Sequence, residues 1–321
     1  MKLDVIKNAR LYITISTAVI VAGLIAMVIS FQQLGSPLRL GIDFTGGSSV
    51  TLGLACNADG CGKPIDVAIV RQSVESKGFA NSVIQLVEGK DLKGVSVRTA
   101  RLSTDDRAKL KATMTEALKQ YGEVDPKKSQ IDEVGPSIGQ QALKNGLLAI
   151  ALSFSGIGIY LAFRFQLDYA TFAIIALFHD ILVTVGVFAV LGLTMGVEID
   201  SLFIVSMLTI CGFSVNDTVV IYDRIRENVR LDKSATSFNN LVNASVNQTL
   251  GRSINTSLTS TLPLIAIFLF GGATLRFFSL ALIIGFLSGA YSSIFNASIL
   301  LAWWRSRSST YNQNTPTIKA N

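Results

Sequence analysis

Six long apolar runs punctuate this 321-residue chain: Leu11 to Phe31, Gly146 to Phe163, Tyr169 to Leu193, Leu202 to Tyr222, Ile254 to Phe270 and Phe277 to Trp304. Each approaches or exceeds the about 20 helical residues that cross a roughly 30 Å hydrocarbon core. The first run is too long for a removable signal peptide and lacks a cleavage site, so the pattern predicts a retained helix that acts as an uncleaved anchor.

Between the first two runs the rhythm changes. Ser48 to Ala55 reads as a strand, and Ile65 to Lys77, with Ile65, Ala68, Ile69 and Val74 at helical spacing, reads as a helix. Ser82 to Val87 and Gly94 to Leu102 read as two strands joined by a turn at Glu88-Gly89-Lys90-Asp91. Ser103 or Thr104, followed by Asp105 and Asp106, opens a second helix running to about Tyr121, and a short strand around Gln130 to Val134 closes the series. Strand-helix-strand-strand-helix-strand is the split order of a ferredoxin-like domain.

Composition settles the class of protein. Half of the residues are hydrophobic, 16% are charged, and the mean hydropathy is +0.48, which excludes an ordinary water-soluble domain. The polar segment Gln32 to Gln141 holds 14 Lys/Arg and 13 Asp/Glu and is nearly neutral. The basic excess lies instead at span ends: Lys2, Lys7 and Arg10; Arg164; Arg224, Arg226, Arg230 and Lys233; Arg305 and Arg307. By the positive-inside rule both termini are cytoplasmic and Gln32 to Gln141 lies outside; the loop around Glu198 and Asp200, free of Lys and Arg, agrees. The basic balance is therefore membrane topology, and nucleic acid is not an expected partner.

The predicted fold class is an α-helical membrane protein with six transmembrane helices plus one α/β (ferredoxin-like, βαββαβ) extracytoplasmic domain between helices 1 and 2. Residues 1–31 form the cytoplasmic N-terminus and first helix, 32–141 the outside domain, 142–304 helices 2–6, and 305–321 a cytoplasmic tail expected to be disordered. Within the helical part, Phe238, Leu241, Val242, Val246 and Leu250 recur at helical spacing and predict an amphipathic helix over about 235–251 at the cytoplasmic surface.

Candidate chemistry sits in the spans. Asp217 lies six residues before Asp223, about 9 Å inside the cytoplasmic end of the fourth span. A charge there costs at least roughly 2.5 to 3.5 kcal/mol, so such residues usually face a bundle interior and serve ion movement. Arg252 opens the fifth span and is the natural counter-charge; separating the two in a dry environment would let the carboxylate take a proton. Asn216 and Thr218 flank the aspartate, and Asn255, Thr259 and Ser260 make the cytoplasmic half of the fifth span polar, as a water-accessible path requires. His179 and Asp180, midway along the third span, either continue that path or are buried polar groups that fix helix register. Gly285 and Gly289 form a small-xxx-small pair that permits close helix packing.

The outside segment carries no catalytic constellation, which points to contact with another polypeptide and away from an enzyme. Asp43 reads as a turn aspartate bonding the backbone that follows it. Cys56 and Cys61 flank Asn57-Ala58-Asp59-Gly60; an oxidising compartment permits a disulfide across this turn, free thiols are the other reading, and the pair is a poor metal site. No metal ligand set is expected.

Gly41-Ile42-Asp43-Phe44-Thr45-Gly46-Gly47, Leu177-Phe178-His179-Asp180, the stretch from Asn216-Asp217-Thr218 to Arg226-Glu227-Asn228, and Gln248-Thr249-Leu250-Gly251-Arg252-Ser253 together resemble the SecD/SecF protein-export family of the RND superfamily, and within it the smaller, SecF-type component. The resemblance covers nearly the whole chain. It implies a subunit in a bacterial plasma membrane that needs no bound cofactor and uses the proton gradient to help secreted chains emerge. It carries the family's essential membrane aspartate over to Asp217 and its arginine to Arg252. The implied partners are SecD, the SecYEG channel with its motor SecA, the translocating preprotein, membrane lipids, and further YidC and YajC. Two other functions fit the spans: an RND-type exporter of a small molecule or lipid, and a non-transporting scaffold for membrane assembly. Exporters of that kind ordinarily carry twelve spans and two large outside domains, and this chain has half of each.

Overall fold

The computed structural model describes residues 3–55, 64–80, 82–89, 92–232 and 236–307. Its long helices are α1 (Ala9–Leu34), α5 (Pro136–Arg164), α6 (Leu167–Met195), α7 (Ser201–Leu231) and α8 (Phe238–Phe270), followed by α9 (Ala273–Tyr291), a π-helical turn Ser292–Ala297, and α10 (Ser298–Arg307). Taken with the last three as one span, six helices are long and apolar enough to cross a membrane. The helix ends follow local chemistry. Gly35 and Gly196 adopt left-handed backbone at φ 75 and 68 to close α1 and α6, and Pro136 stands in the first turn of α5, where its missing N–H is not needed.

Between α1 and α5 lie the short helix α2 (Ile42–Thr45), β1 (Gly47–Leu54), α3 (Val67–Ser76), β2 (Val83–Gly89), β3 (Leu92–Thr99), α4 (Thr104–Leu118) and β4 (Val124–Val134). The four strands form one antiparallel sheet in the order β2-β3-β1-β4. Val50, facing Val97 on one side and Ile131 on the other, lies with Leu52, Leu54 and Val95 against Val70 and Val74 of α3 and Leu110, Met114 and Leu118 of α4. The last strand begins six residues before the expected one, because the sequence Val124 to Ser129 lacks an apolar alternation and is held by pairing of Asp125 and Val124 with Gly53 and Leu54. Ser103 caps α4 by accepting from the Asp106 N–H at 3.1 Å, which fixes the helix start at Thr104.

Two expectations are corrected. The amphipathic segment over about 235–251 and the fifth span are one continuous 33-residue helix, since Gly251 and Arg252 continue the helical backbone and Pro263 does not end it. Its apolar face, Phe238, Val242 and Val246, packs into the protein with Val5, Tyr169 and Tyr222 and is buried in the core. The asparagines between those positions bind the N-terminal segment: Asn247 accepts from the Leu3 N–H at 2.8 Å and Asn243 from the Val5 N–H at 3.0 Å. Second, Asp43 does not bond its own turn. Its Oδ2 accepts from the Ser201 N–H at 2.9 Å, helping to cap α7 far away in the sequence.

The domain is seated on the α6–α7 turn. Gly41 N–H donates to the Ile199 carbonyl at 2.9 Å and Ile199 N–H to the Arg39 carbonyl at 2.8 Å, while Glu198 receives Arg98 and, at 3.8 Å, Arg39. Gln85 of β2 donates to the Gly196 carbonyl. Gly46 and Gly139 let the segment around α2 approach the start of α5 so closely that a Cβ on Gly139 would lie 2.8 Å from the Phe44 carbonyl oxygen.

Candidate functional site

At the middle of α6, Asp180 is completely buried and accepts bonds on both carboxyl oxygens. Ser214 of α7 and Ser292 of the π turn donate to Oδ2 at 2.6 and 2.7 Å; Ser288 of α9 donates to Oδ1 at 2.8 Å, and His179 Nδ1 lies 3.0 Å from the same oxygen. Three segments thus meet on one carboxyl group. Gly289 permits the approach: a Cβ there would stand 3.2 Å from the Ser214 Cβ. The neighbouring Gly285 plays the same part against Ile210, the close packing that the small-residue spacing predicts.

The π turn is tied in on several sides. Thr218 and Ser293 hydroxyls pair at 2.7 Å, Ser16 of α1 donates to Asn296 at 3.0 Å, and the Ser298 hydroxyl reaches the Ser293 carbonyl five residues back at 3.1 Å. Small polar side chains in Ser292-Ser293-Ile294-Phe295-Asn296-Ala297-Ser298 supply the bonds that a widened turn needs, and such turns often mark functional positions.

Asp217 differs from Asp180 in one respect that matters. It is 3% exposed, yet its Oδ2 has no hydrogen-bond partner among the described residues. α7 packs against α8, where Ser253, Ser257 and Thr261, spaced four apart on one buried face, also have hydroxyls without partners among the described residues. A carboxyl group in this condition is free to bind a proton or to pair with a cation that approaches it.

The expected residues separate into groups. Asp180, His179, Asp217 and Thr218 are buried in the bundle. Arg252 is exposed; it makes no ion pair with Asp217 within 4.0 Å among the described residues, yet it lies near enough for its charge to act on that carboxyl group. Asn216, Asn255 and Thr259 are exposed and Ser260 half-buried; Thr259 bonds the Asn255 carbonyl of its own helix at 2.8 Å. The buried face of α8 is the one at Ser253, Ser257 and Thr261. Sequence reading missed Ser214, Ser288, Ser292 and Ser253 as site residues; a four-residue period of hydroxyls from Ser253 was the available signal. Cys56 and Cys61 lie outside the described residues.

At the N-terminal end of α7, Asp200 caps the helix by accepting from the Phe203 N–H at 3.1 Å. Burial pushes its carboxyl above the ordinary range, and the charge of Asp43 adds to this against the Phe203 bond. At the other end, Arg164 grips Asp223 with two bonds of 2.8 Å and Arg305 bonds Asp168 at 2.6 Å.

Residues 113–307 match the family described as protein export membrane protein SecD/SecF, C-terminal, and residues 34–58, which contain α2 and its glycines, match the SecD/SecF GG motif. The chain is 50% identical over 306 residues to the protein translocase subunit SecF of Synechocystis sp., with 95% of each chain covered. It is 38% identical over 319 residues to the protein translocase subunit SecF of Thermobaculum terrenum, again with 95% of each covered. Among solved structures it resembles SecDF, a translocon-associated membrane protein from Thermus thermophilus, with a TM-score of 0.78, 31% identity, and coverage of 96% of this chain and 39% of that one. This chain therefore spans about two fifths of that SecDF chain. A multi-pass membrane protein with these matches at both ends of its sequence belongs to the SecD/SecF family of protein-export membrane proteins.

Proposed function

We propose that this chain is the SecF-type half of a proton-driven accessory to the Sec export channel, and that Asp217 is the group that takes up and releases the proton. The observation that carries the reading is a carboxyl group buried in a span with one oxygen that has no partner among the described residues, on a helix that packs against α8, whose buried face carries hydroxyls in the same condition. A buried polar group kept in that state is costly, roughly 1–3 kcal/mol, and such costs are retained where a function uses them. In the proposed cycle Arg252 approaches the Asp217 carboxylate in one conformation and withdraws in another; withdrawal in a dry bundle favours the protonated acid, so the proton gradient biases the conformation.

On this reading both termini are cytoplasmic and residues 32–141 form a ferredoxin-like domain on the outer face, where secreted chains emerge. The motion reaches the domain through the α6–α7 turn, to which Glu198, Ile199 and Gln85 tie it. The relatives named SecDF combine both halves in one chain, which supports a SecD-type subunit as the partner supplying the remaining spans. SecYEG, with SecA as its motor, is the channel this assembly would serve.

The test is Asp217→Asn, which keeps size and hydrogen-bonding capacity but cannot ionise. Insertion and partner binding should persist while stimulation of export by a proton gradient is lost. Gradient-stimulated export at the native rate in this variant would overturn the reading.

A further inference from the structure

A groove of about 800 Å³ runs from the outer ends of α6, α8 and α9 up to α3, within the size range of ligand-binding clefts. The groove is lined by four consecutive residues of the sheet edge, Val83 to Leu86 of β2, with Ser82 just before them, and by the apolar Leu191, Phe268, Phe277 and Leu280. β2 pairs with β3 on one side, and in the four-stranded sheet it has no strand on the other. An antiparallel edge presents outward N–H and C=O groups at every second residue, the template by which extended peptides add to sheets. Four residues offer about 14 Å of such edge. Leu86 is 41% exposed, and Arg39, Arg71 and Arg276 line the groove; Glu198 and Glu75, which lie 3.8 Å from Arg39 and Arg71, are not among its lining residues, so the lining itself carries basic and no acidic side chains among the described residues.

We propose that this groove binds an extended, apolar polypeptide segment with an acidic residue near one end, added to β2 as a fifth strand. The proposal rests on the export reading for its ligand, an unfolded chain emerging on the outer face. A lipid would also suit arginines above apolar residues, but it has no use for a strand edge, and the groove continues beyond the helix ends to Val67 and Arg71 of α3.

The experiment uses the full chain in phosphatidylcholine nanodiscs, without a proton gradient. The probe is a fluorescent strand-length peptide alternating valine and threonine and ending in glutamate, followed by anisotropy. Saturable binding is expected, weakened at least about tenfold when alternate peptide nitrogens are methylated, because methylation removes backbone donors and leaves the side chains in place. Benzoylphenylalanine incorporated at Leu86 should cross-link the peptide, and at Ile131 on the opposite edge strand it should not. Equal binding of the methylated peptide, equal cross-linking at Ile131, or displacement of the peptide by phosphatidylglycerol would each overturn the site. Asp217→Asn should bind as the native chain does, so loss of this site and loss of proton coupling are told apart.

Discussion

Replacing Asp180 discriminates between its two roles, and the structure sets the magnitude. In Asp180→Ala, the Ser214, Ser288 and Ser292 hydroxyls and the His179 ring lose their common partner at once. Hydrogen bonds between membrane helices average about 0.6 and reach about 1.7 kcal/mol each. Four of them with no replacement give an expected loss of about 2 to 7 kcal/mol, near the upper part because all the groups are buried and the bonds span three segments. Asp180→Asn keeps an oxygen for two of the donors and offers an amide to hydroxyls that can rotate to accept, so it should cost about 1 kcal/mol. The assay is denaturant unfolding of the purified chain in mixed micelles, read beside gradient-stimulated export. Asp180→Ala unfolding within about 1 kcal/mol of the native chain would refute the reasoning, since the hydroxyls would then have other partners within reach. Native stability of Asp180→Asn with lost export would place this carboxyl in the proton path and not only in the scaffold.

Other outcomes follow from close contacts and charges. A Cβ on Gly186 would lie 2.8 Å from the Gly23 Cα, so Gly186→Ala should destabilise the α1–α6 contact by about 1–3 kcal/mol in the same unfolding assay, whereas Gly158→Ala, with its nearest neighbour at 3.9 Å, should not. Because the Asp200 carboxyl titrates above its ordinary range, the folded chain holds that proton to higher pH than the unfolded one; this contribution to stability is present at low pH and lost as pH rises through the raised value. Asp200→Asn should remove that slope and keep the cap, while Asp200→Ala should lose about 1 kcal/mol at all pH values. Glu198→Ala leaves Arg98 and Arg39 without their shared carboxylate and should speed hydrogen exchange at the Gly41 and Ile199 amides that dock the domain; unchanged exchange there would show that the two backbone bonds suffice.

The spans were legible because an apolar run of span length has few alternative structures, and the domain because its strands and helices alternate with distinct periods. Asp217 announced itself as a charge among apolar neighbours. Its surroundings did not, because serines are common in helices and only packing reveals that Ser214, Ser288 and Ser292 converge on Asp180. The π turn was illegible for the same reason: its sequence is compatible with an ordinary helix until Thr218 and Ser16 approach from other segments. Asn255 and Thr259 looked like path residues from polarity alone, yet they stand two residues from Ser253 and Ser257, about half a helical turn round, on the exposed face. The bonds of Asn243 and Asn247 to Val5 and Leu3 join segments more than two hundred residues apart, a pairing that no local pattern announces.

The two buried carboxyl groups are complementary in a way that bears on the cycle. Asp180 accepts bonds on both oxygens and holds α6, α7, α9 and the π turn together; Asp217, three residues beyond Ser214 on α7, has an oxygen without a partner among the described residues. Ser214 links Asp180 to the neighbour of Asp217, because its hydroxyl serves Asp180 while its carbonyl accepts Thr218 at 3.2 Å and Ser293 at 3.4 Å. A displacement of α7 driven by protonation at Asp217 would therefore strain the Thr218–Ser293 pair before it strained Asp180. The π turn, which already departs from regular helical bonding, is the place where that strain is most readily absorbed. On the proposed cycle the outer half of α7 then moves as one body with Asp200, Ile199 and the docked domain, while the Asp180 cluster stays closed as its pivot.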